Sequence, residues 1–243
     1  MMADKLTVVT GGSRGIGAAI SRRLATEGHD VVITYLRDRD AAEEVAADVR
    51  RTGQRALVLQ ADTTEEQSVA GLFDQARAFG TLTGLVNNAG SASAIGALED
   101  NDLQQIGRDL EVNLWGVIAC TKYAIGPLSQ GGGGSIVNIS SAAATLGGAG
   151  TYVHYAAAKA AVEALTVGLS KELASKSIRV NAVAPGTVWT DFHQDSERPA
   201  KAAALIPMGR AGRPEEIAGA VAWLLSDDAG YATGTTIRVA GGL

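Results

Sequence analysis

Short apolar runs alternate along the chain with longer stretches whose apolar residues recur at helical spacing. The runs are LTVVT (6–10), DVVITY (30–35), RALVLQ (55–60), TGLVN (83–87), SIVNIS (135–140), IRVNAVA (178–184) and TTIRVA (235–240). They are nearly continuous Val, Ile and Leu, the pattern of strands buried on both faces. Between them, stretches rich in Ala, Glu, Arg and Leu predict helices over 15–28, 39–52, 65–79, 101–127, 151–175 and 214–226. Strand–helix alternation of this kind predicts right-handed βαβ units and a parallel sheet with helices on both faces. The fold class is therefore α/β, a Rossmann-type doubly wound sheet of about seven strands, with ligands at the carboxyl ends of the strands. Residues 1–243 read as one domain, because no linker separates the units. The run GGGG at 131–134 lies between a helix and a strand and reads as a loop.

Composition narrows the function classes. Hydrophobic residues make up 46% and charged residues 19%, a globular balance with material for a core. The formal net charge is -5 and no basic block stands out, which argues against a nucleic-acid partner. Cys120 is the only cysteine, so no disulfide framework and no thiolate metal cluster is expected. His29, His154 and His193 are scattered without ligand spacing, and no metal is expected. No window offers 18 or more consecutive apolar residues, and the start, MMADKLTVVTGG, lacks a basic region before a long apolar stretch. The expectation is a cytoplasmic protein with no membrane span. Its 30 glycines exceed the usual share of ~7%, and they cluster after the apolar runs, which suggests tight turns with function.

The first such cluster is TGGSRGIG, Thr10 to Gly17, directly after the first run. Gly11, Gly15 and Gly17 are spaced G-x-x-x-G-x-G, with Ser13, Arg14 and Ile16 between them. A glycine loop between strand and helix lets backbone approach a pyrophosphate, and the helix start offers free N–H groups at a positive dipole end. A tight turn with no ligand would use the same glycines; the position at the head of a βαβ series favours the phosphate reading. Folds of this kind that bind NAD place a carboxylate near the end of the second strand for the ribose hydroxyl. Here Tyr35 stands near that place, Arg37 follows, and Arg14 lies in the loop. Two guanidinium forks suit a 2′-phosphate, which puts NADP(H) ahead of NAD(H). The competing reading makes Arg37 part of a solvated charge run with Asp38, Arg39 and Asp40.

Four further motifs follow in order: LVNNAG (85–90), IVNISS (136–141), YAAAK (155–159) and NAVAPGTVWT (181–190). Together with TGGSRGIG they resemble the short-chain dehydrogenase/reductase family across essentially the full chain, with the closest look to bacterial 3-oxoacyl-carrier-protein reductases and to glucose- and alcohol-dehydrogenase-like members. The resemblance implies a catalytic group. Ser141 would bond the substrate carbonyl oxygen, Tyr155 would move the proton, and Lys159 would hold the nicotinamide ribose and lower the tyrosine pKa. Asn113, in EVNLWG, would help anchor a water linking Lys159 to solvent, although a buried asparagine satisfying a helix break there would look the same and the two roles can coexist. The chemistry supports this: a free tyrosine titrates near pH ~10, and an ammonium four residues on shares its helix face and favours phenolate. Tyr152 has Ala156 at i+4 and no lysine, so it reads as a pocket or packing residue. Ser140 is a poorer fit than Ser141 because it lies farther from Tyr155, and His154 reads as a neighbour.

The resemblance also implies dinucleotide contacts from Asp62, Thr63, Asn88, Ala89 and Gly90 on the adenine side, and from Pro185, Gly186, Val188 and Thr190 at the nicotinamide. Asp62 could equally cap a helix with Thr63 or Thr64. Ala240 replaces the Asp that many relatives carry before the terminal Gly pair. Ser91, Tyr152, Trp189, Phe192 and His193 are candidates for a mixed polar and aromatic substrate pocket. The implied reaction is NADP(H)-dependent interconversion of a carbonyl and a secondary alcohol, on a 3-oxoacyl compound or small ketone, with sugar or alcohol oxidation using NAD(P) as the alternative. A dinucleotide sensor without turnover would have no need of Ser141, Tyr155 and Lys159. The partner is a small-molecule carbonyl or alcohol. A homo-oligomer, a tetramer before a dimer, is implied by the family, with helices 101–127 and 151–175 as candidate interface elements.

Overall fold

The computed structural model describes residues 5–190, 192 and 197–243. Seven strands form one sheet: β1 (Lys5–Val9), β2 (His29–Tyr35), β3 (Ala56–Gln60), β4 (Leu82–Asn87), β5 (Gly134–Ile139), β6 (Ile178–Pro185) and β7 (Thr236–Val239). Their order is β3-β2-β1-β4-β5-β6-β7, and every pairing is parallel. Order therefore reverses between β1 and β4, where the connections leave in opposite directions and open a crevice at the strand ends. The helices are α1 (Gly15–Thr26), α2 (Arg39–Arg51), α3 (Glu66–Phe79), α4 (Leu103–Leu110), α5 (Gly116–Gln130), a short α6 (Ala143–Leu146), α7 (Val153–Glu172), a short α8 (Arg198–Ala202) and α9 (Pro214–Leu225).

Alternate residues of each buried strand serve opposite layers. Val9, Ile33, Val86, Val137 and Val183 pack with α1, α2 and α9. Leu6, Val8, Val32, Leu85, Ile136 and Val180 pack with α3 and α5 on the other face. This is why the runs lack alternation: both faces are covered, and removing apolar surface from water drives both layers together. Local chemistry sets several boundaries. The Asp38 side chain accepts from Ala41 N (3.0 Å) to start α2, and Asp102 accepts from Gln104 N (2.7 Å) to start α4.

The helix expected at 101–127 is irregular. Between α4 and α5 the chain makes a π-helical turn, Glu111–Trp115. There the Asn113 amide donates to the carbonyl of Asp109 (2.8 Å), four residues back, so a side chain competes with backbone for that acceptor.

A buried polar chain crosses the middle of the sheet. Asn87 Nδ2 donates to Thr121 Oγ1 (3.0 Å) and to Asn138 Oδ1 (2.8 Å); Asn138 Nδ2 donates to Thr166 Oγ1 (2.9 Å). It ties β4 and β5 to α5 and α7, the helix that carries Tyr155 and Lys159. Replacing Asn138 with Leu would leave one N–H of the Asn87 amide without its acceptor and remove the bond to Thr166. The expected cost is roughly 2–4 kcal/mol of unfolding free energy, read by urea denaturation, because unpaired buried polar groups keep their full desolvation penalty.

Candidate active site

One cavity of about 740 Å³ runs over the carboxyl ends of the central strands. At one end lies the glycine loop. Gly11 and Gly15 have φ of +60° and +51°, a left-handed backbone that favours glycine. At Gly17 the reason is approach: an added Cβ would strike the Gly11 carbonyl oxygen and lie 2.5 Å from Asn88 Nδ2. Asn88 Nδ2 donates to the carbonyls of Thr10 (2.9 Å) and Gly11 (3.0 Å), while Asn88 N and Ala89 N donate to Thr10 Oγ1. Thr34 Oγ1 accepts from Gly11 N (3.0 Å). The loop is thus stitched to β4 on one side and β2 on the other. The first turn of α1 carries no acidic side chain and no side-chain cap, which leaves its positive end for an anion.

The cavity wall brings together most of the expected dinucleotide residues: Gly11, Ser13, Arg14, Gly15, Ile16, Gly17, Tyr35, Asp62, Thr63, Asn88, Ala89, Gly90, Pro185, Gly186, Val188 and Thr190. Asp62 does cap, but not a helix: its Oδ1 accepts from Thr64 N (2.9 Å) and Thr64 Oγ1 (2.7 Å) and holds the turn before α3. Arg37 is exposed and lies outside the wall, which ends with Leu36, a residue the sequence did not single out. Ala240 packs on Gly186, where an added Cβ would stand 2.8 Å from Ala240 Cα.

At the far end stand Ser141, Tyr152, Tyr155, Lys159, Ser91 and Phe192. Tyr155 is 8% exposed and Lys159 3%. One helical turn apart, they share a face: Lys159 Nζ is 5.6 Å from the Tyr155 ring centre. The ammonium, however, donates to the Ile139 carbonyl at the end of β5 (2.9 Å). Burial dominates both groups. It lowers the Lys159 pKa to about 8, and it pushes the Tyr155 phenol up, with a hydrogen bond from Ser141 pulling the other way. For the phenol, desolvation outweighs the groups that pull its pKa down, and the ammonium one turn on is itself bonded to a carbonyl.

Ser140 also reaches the wall, but its hydroxyl donates to Glu163 Oε1 (2.7 Å) and serves to fasten β5 to α7. Ser141 keeps its hydroxyl in the cavity and accepts from Ala143 N (3.1 Å). Asn113 is fully buried behind the wall; Nδ2 donates to Ser91 O (2.6 Å) and Oδ1 has no partner. An added Cβ on Gly90 would lie 3.0 Å from that Oδ1 and 3.8 Å from Lys159 Nζ, so the glycine runs past both polar groups. Trp189 is half-exposed and outside the wall, and His193 falls outside the described residues.

Two features were missed. Asp109, fully buried, accepts from Ser91 Oγ (2.8 Å), Ser93 N (2.8 Å), Ala94 N (3.0 Å) and stands 3.2 Å from His154 Nε2. Burial raises this carboxyl, but the hydrogen bonds from Ala94, Ser91, Ser93 and His154 win and hold it below its usual range. It stakes down the loop 91–94 beside the pocket; its place four residues before Asn113 was the available signal. Arg198 is the second: it donates to Tyr152 Oη (2.7 Å) and lies over that ring. It falls in the polar segment after Thr190, whose charges carry no pattern.

A family model described as enoyl-(acyl carrier protein) reductase matches residues 11–243. The chain is 43% identical to cis-4-hydroxycyclohexanecarboxylate dehydrogenase of Sinomonas cyclohexanicum, over 99% of this chain and 96% of that one. A solved short-chain dehydrogenase/reductase from Serratia marcescens superposes with a TM-score of 0.91 at 38% identity, covering 99% and 98% of the two chains. A blue fluorescent protein from a metagenomic library, solved in complex with NADPH, gives a TM-score of 0.91 at 35% identity with the same coverage.

Substituting Gly17 by Ala should cripple nucleotide binding while the sheet still forms. We expect NADPH affinity, measured by fluorescence titration, to fall by about 100-fold or more, since the loop must move away from both β4 and the helix start.

Proposed function

The chain belongs to the short-chain dehydrogenase/reductase family, oxidoreductases acting on CH–OH and C=O with a nicotinamide dinucleotide, and from that premise we propose that it reduces a 3-oxoacyl compound or small ketone with NADPH, Tyr155 supplying the proton. The observation that carries this is that the Ser141 hydroxyl and the Tyr155 phenol line the same end of one cavity, with Lys159 Nζ 5.6 Å from the Tyr155 ring centre. Two hydroxyl donors on adjacent walls can both reach one oxygen. That suits a carbonyl, and it favours C=O over the C=C chemistry in the family model's description. The name of the Sinomonas relative, a dehydrogenase of a cyclic secondary alcohol, fits the same bond worked in the other direction.

The residues present fit a dinucleotide. Gly11, Ser13, Gly15, Ile16 and Gly17 would hold the pyrophosphate. Asp62, Thr63, Asn88, Ala89 and Gly90 would hold the adenosine half, and Pro185, Gly186, Val188, Thr190 and Lys159 the nicotinamide half. Bound there, the nicotinamide supplies or takes the hydride. Ser141 bonds the carbonyl oxygen, and Tyr155 gives its proton to that oxygen in reduction and recovers it in oxidation. Lys159 is charged below about pH 8, and its ammonium favours the phenolate that reduction leaves behind. Asn113 stiffens the turn beside Lys159 and offers Oδ1 to a water. Arg14, with Arg37 just past the wall, would meet a 2′-phosphate; the NADPH complex of a close structural neighbour supports that choice. Assembly into a tetramer belongs to the same reading and is supported by the exposed Leu103, Trp115 and Ile118 on α4, α5 and the turn between them. No helix among the described residues is long and apolar enough to cross a membrane.

Tyr155→Phe should cut ketone reduction roughly 10²- to 10⁴-fold while NADPH binding changes little. Retained turnover would remove Tyr155 as the acid. Because burial raises the phenol pKa, the proton stays on through neutral pH. Reduction should therefore hold level there and fall at alkaline pH, whereas oxidation, which needs phenolate, should climb with pH; initial rates in both directions check this. A second measurement concerns the cofactor. Arg14→Ala combined with Arg37→Ala should raise KM for NADPH by about 10-fold or more and leave KM for NADH nearly unmoved. Equal losses for both would exclude a 2′-phosphate site.

A further inference from the structure

Among the described residues, four charged side chains line the cavity: Arg14, Asp62, Lys159 and Arg198. Three have work elsewhere. Arg14 and Asp62 stand at the glycine loop and the β3 end, and Lys159 donates to the Ile139 carbonyl. Arg198 alone faces the far end, where Tyr152, Phe192 and Leu146 stand with neutral hydroxyls such as Ser91 and Ser141. Its neighbour Glu197 pairs with Lys201 (3.2 Å), and no described carboxylate lies within ion-pair distance of the guanidinium. Arg198 is instead half-buried against neutral groups. It donates to Tyr152 Oη, and its guanidinium carbon lies 4.9 Å from the Tyr152 ring centre. A guanidinium carries five N–H donors in a fixed fork, so a single hydroxyl and a ring face leave donors and charge unanswered. Tyr152 in turn packs edge-on against Tyr155, ring centres 5.2 Å apart. The cation therefore lies no farther from the Tyr155 ring than those two contacts laid end to end.

We infer that Arg198 receives a carboxylate on the substrate, so that the enzyme acts on an oxo acid and its hydroxy-acid partner; this rests on the carbonyl-reductase reading above. A planar carboxylate matches the guanidinium fork, and one short chain or ring spans from it to a carbonyl at Ser141 and Tyr155. A phosphate, with its larger charge, would call for a second cation, and Lys159 is already bonded to the Ile139 carbonyl. Arg198 then selects substrates by their anionic tail, and its hold on Tyr152 keeps the fork in place over an apolar floor.

The test compares turnover of 4-oxopentanoate and its methyl ester with NADPH in the native chain, Arg198→Gln and Arg198→Lys. The native enzyme should prefer the acid by roughly 10- to 100-fold in kcat/KM, mostly through KM. Arg198→Gln should bring that preference close to one, and Arg198→Lys should keep part of it. No preference in the native enzyme, or equal loss on acid and ester in Arg198→Gln, overturns the assignment and leaves Arg198 a clamp on Tyr152. Calorimetric titration of hexanoate and hexanamide, with and without NADP⁺, reads the same site without turnover. Binding of the acid alone, lost in Arg198→Gln, upholds the carboxylate site; equal binding of acid and amide, or of neither, sinks it. Failure of the reductase reading would look different: neither oxo compound would turn over, yet hexanoate would still bind through Arg198.

Discussion

The cross-brace between Thr10 and Asn88 holds the whole cavity in register. β1 and β4 are neighbours whose chains depart in opposite directions, and their ends would splay without a link. The Asn88 side chain satisfies the carbonyls of Thr10 and Gly11, and the Thr10 hydroxyl accepts from the backbone of Asn88 and Ala89. Acceptors are thereby consumed on the sheet side of the loop, while the N–H groups at the start of α1 keep their positive end unmasked. Gly17 is the condition for this, since only a residue without Cβ fits under the amide. The same closure sets Gly90, three residues after β4 ends, beside Asn113 and Lys159. One short polar contact therefore positions both halves of the site.

Burial then fixes the protonation of the far half. Tyr155 and Lys159 are pushed in opposite directions on the pH scale and toward the same condition, neutrality. A carbonyl acceptor and a nearby ring face make the buried ammonium tolerable, and Ser141 offsets part of the phenol's shift. The phenol therefore holds its proton beside a cation that loses charge only above about pH 8. A reaction that places negative charge on the tyrosine oxygen meets that cation one helical turn away.

Much of this was legible before any coordinates. Buried parallel strands announce themselves as unbroken Val and Ile runs, and all seven appear where the runs lie, within a residue or two at each end. Glycine spacing, and Tyr155 with Lys159 at i and i+4, are statements about backbone geometry and so survive translation into three dimensions. What sequence could not weigh was competition. The Ile139 carbonyl that takes Lys159 leaves no mark in the chain, and neither does the burial that pushes the Tyr155 phenol up. Ser140 and Ser141 became distinct only once Glu163 claimed the first. Arg37 sits just past the Tyr35–Leu36 edge of the wall, an offset too fine for motif spacing to resolve.

The two ends of the cavity are encoded by different means. The glycine loop works through backbone N–H groups and close approach, which constrain residue type narrowly and leave a readable spacing. The far end is walled by side chains brought from three separate connections: Ser91 and Ser93 after β4, the run from Ser141 to Tyr152 after β5, and Phe192 with Arg198 after β6. Asp109 pins the first of these from behind, through Ser91, Ser93, Ala94 and His154. That wall can thus change its charge and shape at Phe192 or Arg198 without disturbing the loop, the polar chain through Asn138, or the Tyr155–Lys159 face. Specificity is free to vary where the fold's own requirements are weakest, and a guanidinium with no carboxylate partner among the described residues is one place on that wall where it can.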